Sequence, residues 1–222
     1  MAKKKKDKAK KADKKSKSKK GKWLKADDPL KRFKVSKYCN EKYDPVLFNL
    51  RENPWGLFSN FAPTPFIAPP LWGGDPRLWF NNEQWFMAHK MDVDNGGSAT
   101  ADLLNKILWA YHPDKCRYFA SQKAGGLMRE NWDKDNQLRH TVMLVGLRHK
   151  YQQNPLAAQA LIESGERLLV ENVSFDDYWG NGKDGNGSNN LGKLHMIVRE
   201  ELRSGELPIL NNTQLADLVG GH

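Results

Sequence analysis

Fourteen lysines stand in the first 25 residues against two acids, Asp7 and Asp13, and no large apolar side chain follows Met1 until Trp23 and Leu24. A segment of that make-up cannot bury enough apolar surface to offset its ordering entropy, so residues 1–25 are expected to form a disordered Lys-rich tail. The fold must come from the remainder. The tail alone carries +12, so a whole-chain formal charge of +10 leaves the rest near −2. The sequence pI near 9.5 therefore describes an appended arm rather than a basic domain. Ammonium groups meet phosphate as point charges, without the fork geometry that reads bases. The expected partner of the arm is thus nucleic acid, bound without sequence preference. A solubility or targeting tail is the plain alternative.

The same composition excludes other classes. The longest apolar runs, around residues 142–147 and 167–170, fall far short of the eighteen or so residues that cross a bilayer, and no apolar signal core follows Met1. A cytoplasmic protein without membrane contact is expected. Lys3–Lys6 and Lys14–Lys20 can serve as a nuclear address if the source has a nucleus. Cys39 and Cys116 lie far apart with no CxxC, which reads as reduced structural thiols. No metal or cofactor is expected.

Residues 26–45 read as a linker, 46–205 as a single α+β, helix-rich domain, and 206–222 as a C-terminal extension, together a monomer. Val46–Phe66 is rich in Phe, Trp, Pro and Asn without helical period, which predicts short strands and turns. Pro69-Pro70 and Gly73-Gly74-Asp75-Pro76 mark a loop before the aromatic run Leu78-Trp79-Phe80. The pattern from Asn82 predicts a helix capped by Asn82 itself, with Glu83 in its first turn, ending before Asp94. Ser98 or Thr100 opens a second helix through Leu108, and Asp114 caps a short third that ends at Gly125-Gly126. The longest helix is expected over Asn136–Gln152, with Leu138, Val142 and Val145 as an apolar line and Arg139, Arg148 and Lys150 left polar. Asn154-Pro155 ends it. A helix over Leu156–Glu163, a strand over Arg167–Glu171, a Gly/Asn-rich loop and a closing helix over Leu191–Leu202 complete the body.

Three separated stretches concentrate the chemistry: Trp55–Phe61, Asn82–Lys90, and Asp176–Gly180 leading into Leu191–Met196. Each sets an acid, base or nucleophile beside aromatic rings and glycine or asparagine, the mix a pocket needs to hold a flat base and a polar sugar. Glu83 and Lys90 are seven residues apart, nearly two turns along one helix face, with Trp85 and Phe86 beside them. A carboxyl against an aromatic wall gains proton affinity and can act as general acid or base. A desolvated lysine becomes a neutral nucleophile. The spacing fits equally a surface pair that never meets. In the loop after Trp179, Gly180, Gly182, Gly185 and Gly187 alternate with asparagines and no apolar residue. Such a loop must bind something or stay mobile. Its amides suit phosphate or hydroxyl oxygens, and it runs into a helix N-terminus. It is neither a P-loop nor a dinucleotide fingerprint.

Five ordered blocks resemble the NADAR, or YbiA-like, family over about residues 46–203: Phe58-Ser-Asn-Phe61, Glu83–Lys90, Glu130-Asn-Trp132, Leu169-Val-Glu171 with Asp176-Asp-Tyr-Trp-Gly180, and Asn189–Met196. The resemblance implies an N-glycosidase that breaks a ribosyl C1′–N bond. It points to Glu83, Trp132 and Asp176 as essential, to Trp179 as a pocket wall, and to Lys90 as an amine that can attack an opened ribose as a Schiff base. Such cleavage passes through a cationic sugar and needs an anion near C1′ and a proton for the departing base, tasks that Glu83 and Asp176 can share. Arg51, Ser59, Asn60, Phe61, Gly180, Gly182, Asn189 and Gly192 are the expected substrate contacts. The chain departs from the family pattern in a longer segment over Pro69–Leu78, which can reshape substrate access. Gln84 replaces a common histidine, and His195 stands where an apolar residue is usual.

Three readings remain open: removal of ADP-ribose from ADP-ribosylated guanine in nucleic acid, hydrolysis of a phosphorylated ribosyl substrate of riboflavin biosynthesis, and a non-catalytic ADP-ribose or nucleotide binder. The lysine arm favours the first, because it raises local nucleic-acid concentration.

Overall fold

The structure, a computed structural model, describes residues 44–49, 55–130, 132–133 and 137–220. The expectations for the tail, for most of the linker, for Cys39 and for Arg51 lie outside the described residues. Four short strands and seven helices follow in chain order. They are β1 (Val46–Phe48), β2 (Phe66–Ala68), β3 (Arg77–Trp79), α1 (Asn82–Lys90), α2 (Val93–Trp109), α3 (Pro113–Phe119), α4 (Gln137–Gln153), α5 (Pro155–Glu163), β4 (Leu169–Glu171), α6 (Asn190–Ser204) and α7 (Asn212–Gly220). The result is one helix-rich α+β body.

β1 and β4 pair in parallel, with Val46 opposite Leu169 and Phe48 opposite Glu171. Parallel partners need a long crossover, and here it contains helices α1 to α5. The loop expected from Pro69 to Pro76 is present, and it closes an antiparallel hairpin, β2 with β3, in which Phe66 faces Trp79. The hairpin packs on the far side of α1: Leu71 N–H donates to His89 Nε2 at 3.0 Å, and the Trp72 and His89 rings lie 4.6 Å apart. None of it lines the cavity described below, so it does not shape access there.

α1 is the hub, buried at seven of its nine positions although most of them are polar. Its cap is Asn81 rather than Asn82: the Asn81 side chain accepts from Gln84 N at 2.9 Å, which frees Asn82 for the interior. Gln84 Nε2 lies 3.0–3.2 Å from the carbonyls of Ile107, Leu108 and Ala110, satisfying the orphan end of α2. Gln84 is thus a structural amide. Asp92 caps α2, which starts five residues before the expected Ser98 and kinks at Gly97, where φ is +60°. α3 carries no side-chain cap bond from Asp114 and ends at Phe119.

α1 and α4 are locked by Trp85 Nε1, which donates to Val142 O at 2.8 Å. Gly146 permits the approach, because a Cβ there would overlap Asn82 Oδ1 and Trp85 Cδ1. Lys150, expected on a polar face, is wholly buried instead, and its Nζ donates to Ser59 O at 3.0 Å. Burial pushes that amine down to about 7. His195 is also wholly buried, 2.9 Å from Tyr151 Oη through Nδ1. Among the described residues no helix is long and apolar enough to cross a membrane.

Replacing Gly146 by Ala is expected to destabilise the protein by about 2 kcal/mol, the usual cost of overpacking a core contact, despite the better helix propensity of alanine. Urea unfolding checks this, and an unchanged midpoint would show that α1 and α4 can slide apart freely.

Candidate active site

A cavity of about 820 Å³ opens between α1, the turn after residue 58, α3, α4 and the segment that follows β4. α1 presents Glu83, Phe86, Met87 and Lys90 to it, the i, i+3, i+4 and i+7 positions of one face. The two chemically interesting residues of that helix therefore do share a cavity. Ser59, Asn60 and Phe61 come from the turn, whose shape is held by Lys150 at Ser59 O and by Glu83 N–H, which donates to Asn60 O at 3.0 Å. The Asn60 side chain is committed internally: its Oδ1 accepts from Asn82 at 2.8 Å, and its amide nitrogen meets Met143 Sδ at 3.4 Å.

Aromatic residues make one wall. Phe86 sits between Trp132, at 4.9 Å between ring centres, and Trp179, at 5.4 Å and nearly perpendicular. Asp176 also lines the cavity, and its Oδ1 accepts from Tyr178 N at 2.9 Å and Trp179 N at 2.7 Å. Those bonds fix the carboxylate and the ring of Trp179 as one unit. The expected set Glu83, Lys90, Trp132, Asp176, Trp179, Ser59, Asn60 and Phe61 is thus brought together.

Gly180, Gly182, Asn189 and Gly192 are not part of the lining. Their contacts are with the chain itself. A Cβ on Gly180 would overlap Val173, one on Gly182 would overlap Asp177, and one on Gly192 would overlap the Leu169 carbonyl. Asn189, in the left-handed region at φ 50°, donates to Leu169 O at 2.8 Å and accepts from Glu171 N at 3.0 Å. The loop's amides have partners within the chain. Its amides bond one another and β4, as backbone taken out of water must.

Sequence reasoning passed over Arg117 and Glu171. The Arg117 guanidinium lies 3.9 Å from Glu83 Oε1, and 5.6 Å from the ring centres of both Phe61 and Phe175. Nothing in the local pattern marks it. Glu171 is the last residue of β4, and its Oε2 is buried without a hydrogen-bond partner. Its place in the block Leu169-Val-Glu171 was the available signal.

The electrostatics follow from burial. Glu83 is pushed up to about 7, first by desolvation and then by Asp176 and Asp114, against the pull of Arg117 and Lys90. Glu171 is pushed up to about 8, first by desolvation and then by Asp176 and Glu83. Burial lowers Lys90, opposed by Asp133 and Glu83, so more of its amine is neutral than in water. A carboxyl near 7 can give and take a proton at neutral pH.

A carboxyl with a raised folded-state value binds its proton more tightly folded than unfolded. Stability from that source is full below the unfolded value of 4.5 and falls as pH rises through about 7. Glu83→Gln removes the ionisation. At pH 8 the variant is expected to exceed wild type by on the order of 3 kcal/mol, and at pH 4 to match it within about 0.5 kcal/mol. Urea unfolding at both values decides, and equal stability at pH 8 would refute the burial account.

The NADAR domain family model matches residues 47–203, a span that contains every side chain of the cavity wall. The chain is 31% identical over 152 residues to the chloroplastic riboflavin biosynthesis protein PYRR of Zea mays, covering 67% of this chain but 23% of that one. It is 30% identical over 160 residues to the riboflavin biosynthesis protein VVA0006 of Vibrio vulnificus, where it spans 39% of the relative's length. Against N-glycosidase Npun_R5314 of Nostoc punctiforme it is 30% identical over 151 residues, covering 68% of this chain and 88% of the relative. The solved NMR structure of Escherichia coli YbiA superposes with a TM-score of 0.58 at 27% identity, over 76% of this chain and 91% of that one. With the sequence blocks and the cavity inside the matched span, the chain belongs to the NADAR domain family.

Proposed function

We propose that this cavity hydrolyses the C1′–N bond of an N-ribosyl substrate, and that the substrate is ADP-ribosylated guanine in nucleic acid. The observation that carries the reaction is the pairing of a buried carboxyl pushed up to about 7, Glu83, with the fixed carboxylate of Asp176 beside the Phe86–Trp132–Trp179 wall. Two carboxyls set in different environments divide acid–base work from charge stabilisation.

In this reading the base stacks on the aromatic wall. As the C1′–N bond breaks, its electron pair leaves with the base nitrogen, which takes the proton of Glu83. Asp176 faces the positive charge that develops at C1′. Water then adds to C1′ and returns a proton to Glu83, so the products are the free base and a ribosyl hydroxyl. Lys90 offers a second use of the same face. Its neutral amine can add to C1′ of a ring-opened ribosyl imine and displace the base as an amine, and water then hydrolyses the lysine imine.

Three features favour the larger substrate. The cavity lies toward the upper end of the roughly 300–1,000 Å³ usual for small-molecule sites. Arg117 offers a cation to phosphate oxygens. The fourteen lysines of residues 1–25 attract polynucleotide, which a small pyrimidine substrate does not require. The names of the maize and Vibrio relatives favour the second reading, a phosphorylated ribosylaminopyrimidine of riboflavin biosynthesis.

Wild type and Glu83→Gln, incubated with an ADP-ribosylated guanine oligonucleotide and separately with ribosylaminopyrimidine phosphates, distinguish the readings by mass spectrometry. Release of ADP-ribose by wild type is expected, slowed at least about 100-fold in the variant, with wild-type turnover declining above about pH 7 as Glu83 loses its proton. Release of ribose phosphate alone moves the protein to the second reading, and no release from either makes it a binder. Deleting residues 1–25 is expected to abolish salt-sensitive oligonucleotide binding while sparing hydrolysis of ADP-ribosyl-guanosine. Loss of that hydrolysis would overturn the division of labour between arm and cavity.

A further inference from the structure

The cavity holds a third carboxyl that the acid–base pair leaves unused. We infer that Glu171 is the contact to the 2′-hydroxyl of the substrate ribose, and that it selects ribosyl over 2′-deoxyribosyl substrates. This rests on the reading of the cavity as an N-ribosyl site.

The side chain is presented by backbone that cannot shift easily. Glu171 N–H donates to Asn189 Oδ1 at 3.0 Å, and its carbonyl accepts from Asn181 N at 2.9 Å and Val173 N at 3.1 Å. Its strand is paired with β1 through Phe48. From this anchored position it lines the cavity, yet its Oε2 is buried with no hydrogen-bond partner and the residue makes no ion pair among the described residues. A buried oxygen left in that state costs the fold stability, which a ligand donor recovers.

The surroundings state which donor. Asp176 and Glu83 push Glu171 up against the pull of Arg117, so a phosphate there would meet more carboxyls than cations and an anion is disfavoured. The ligand group must be neutral or electron-poor and must donate. The base belongs to the aromatic wall around Phe86, whereas Glu171 lines the side at the end of the β1–β4 pair, with Asn49, Asn172 and Ser174 as polar neighbours and Val173 and Phe175 interleaved. The sugar is what remains for that side. Its 2′-hydroxyl adjoins C1′, the atom that Asp176 faces in the proposed reaction, and hydrogen bonds to that hydroxyl strengthen as C1′ turns cationic. With Glu171 pushed up to about 8, its carboxyl at neutral pH carries one donor and one acceptor oxygen, complementary to a hydroxyl.

Calorimetric titration of the full chain with ribose 5-phosphate and with 2-deoxyribose 5-phosphate tests this. Wild type is expected to prefer ribose by about tenfold, the size of one good hydrogen bond. Glu171→Ala should bring the two ligands within about twofold of each other while leaving the deoxy ligand nearly unaffected. Glu171→Asp keeps the carboxyl but withdraws it by one methylene, and should lose most of the preference too, which guards against a poorly folded alanine variant. A wild type that binds both sugars equally, or variants that keep its preference, overturns the role of Glu171 and leaves the N-ribosyl reading standing. A wild type that binds neither sugar overturns both.

Discussion

A helix enclosed on nearly every side must find partners for the polar groups it carries, and α1 meets most of that demand, with Asn82 Oδ1 left buried and unpartnered. Asn81 caps its start, Asn82 bonds Asn60, Gln84 closes the end of α2, and His89 Nδ1 lies 2.7 Å from Trp85 O. What this leaves is the face that carries Glu83 and Lys90, whose polar ends open on the cavity. The position of the site is therefore a consequence of how the hub is packed. Lys150, buried beneath the Ser59 carbonyl, extends the same logic to the neighbouring turn.

The burial that builds the site also strains it. Glu83 and Glu171 hold their protons well above the ordinary carboxylate range because water is excluded and because Asp176 is close. Ionising either within the fold costs stability, and that same reluctance makes a carboxyl able to exchange a proton near neutral pH. Natural proteins keep such locally unfavourable groups where chemistry needs them and compensate elsewhere. Here the compensation is visible in the bonds that bind the glycine loop to β4, which hold Asp176 and Glu171 in place at the cost of many special backbone positions.

Much of the architecture was legible along the chain. Asn154-Pro155 ends α4 where it should, the strand before the glycine loop appears as β4, and the last helix spans Asn190–Ser204 around the expected range. From the ordered blocks, Glu83, Phe86, Lys90, Trp132, Glu171, Asp176 and Trp179 line one cavity, whereas Phe58, Trp85, His89 and His195 of the same blocks are packed in the interior. The failures share a cause. Gln84 and Lys150 looked like surface or site residues, and both turned out to be buried donors, since their partners are carbonyls that carry no sequence signature. Arg117 reaches Glu83 from a different helix 34 positions on, a pairing that no spacing rule contains.

The division between the two sources is physical. Local order along the chain settled the helix periods, the breaks at proline, the concentration of lysine in residues 1–25, and the placing of Glu83 and Lys90 on one helix face, since each depends on residues within a few turns. Tertiary structure alone decided that this face is enclosed, that Asn189 of the glycine loop bonds to β4, and that Glu171 and Arg117 join the cavity. Desolvation and charge proximity are properties of the enclosed space, and they belong to no single segment of the sequence.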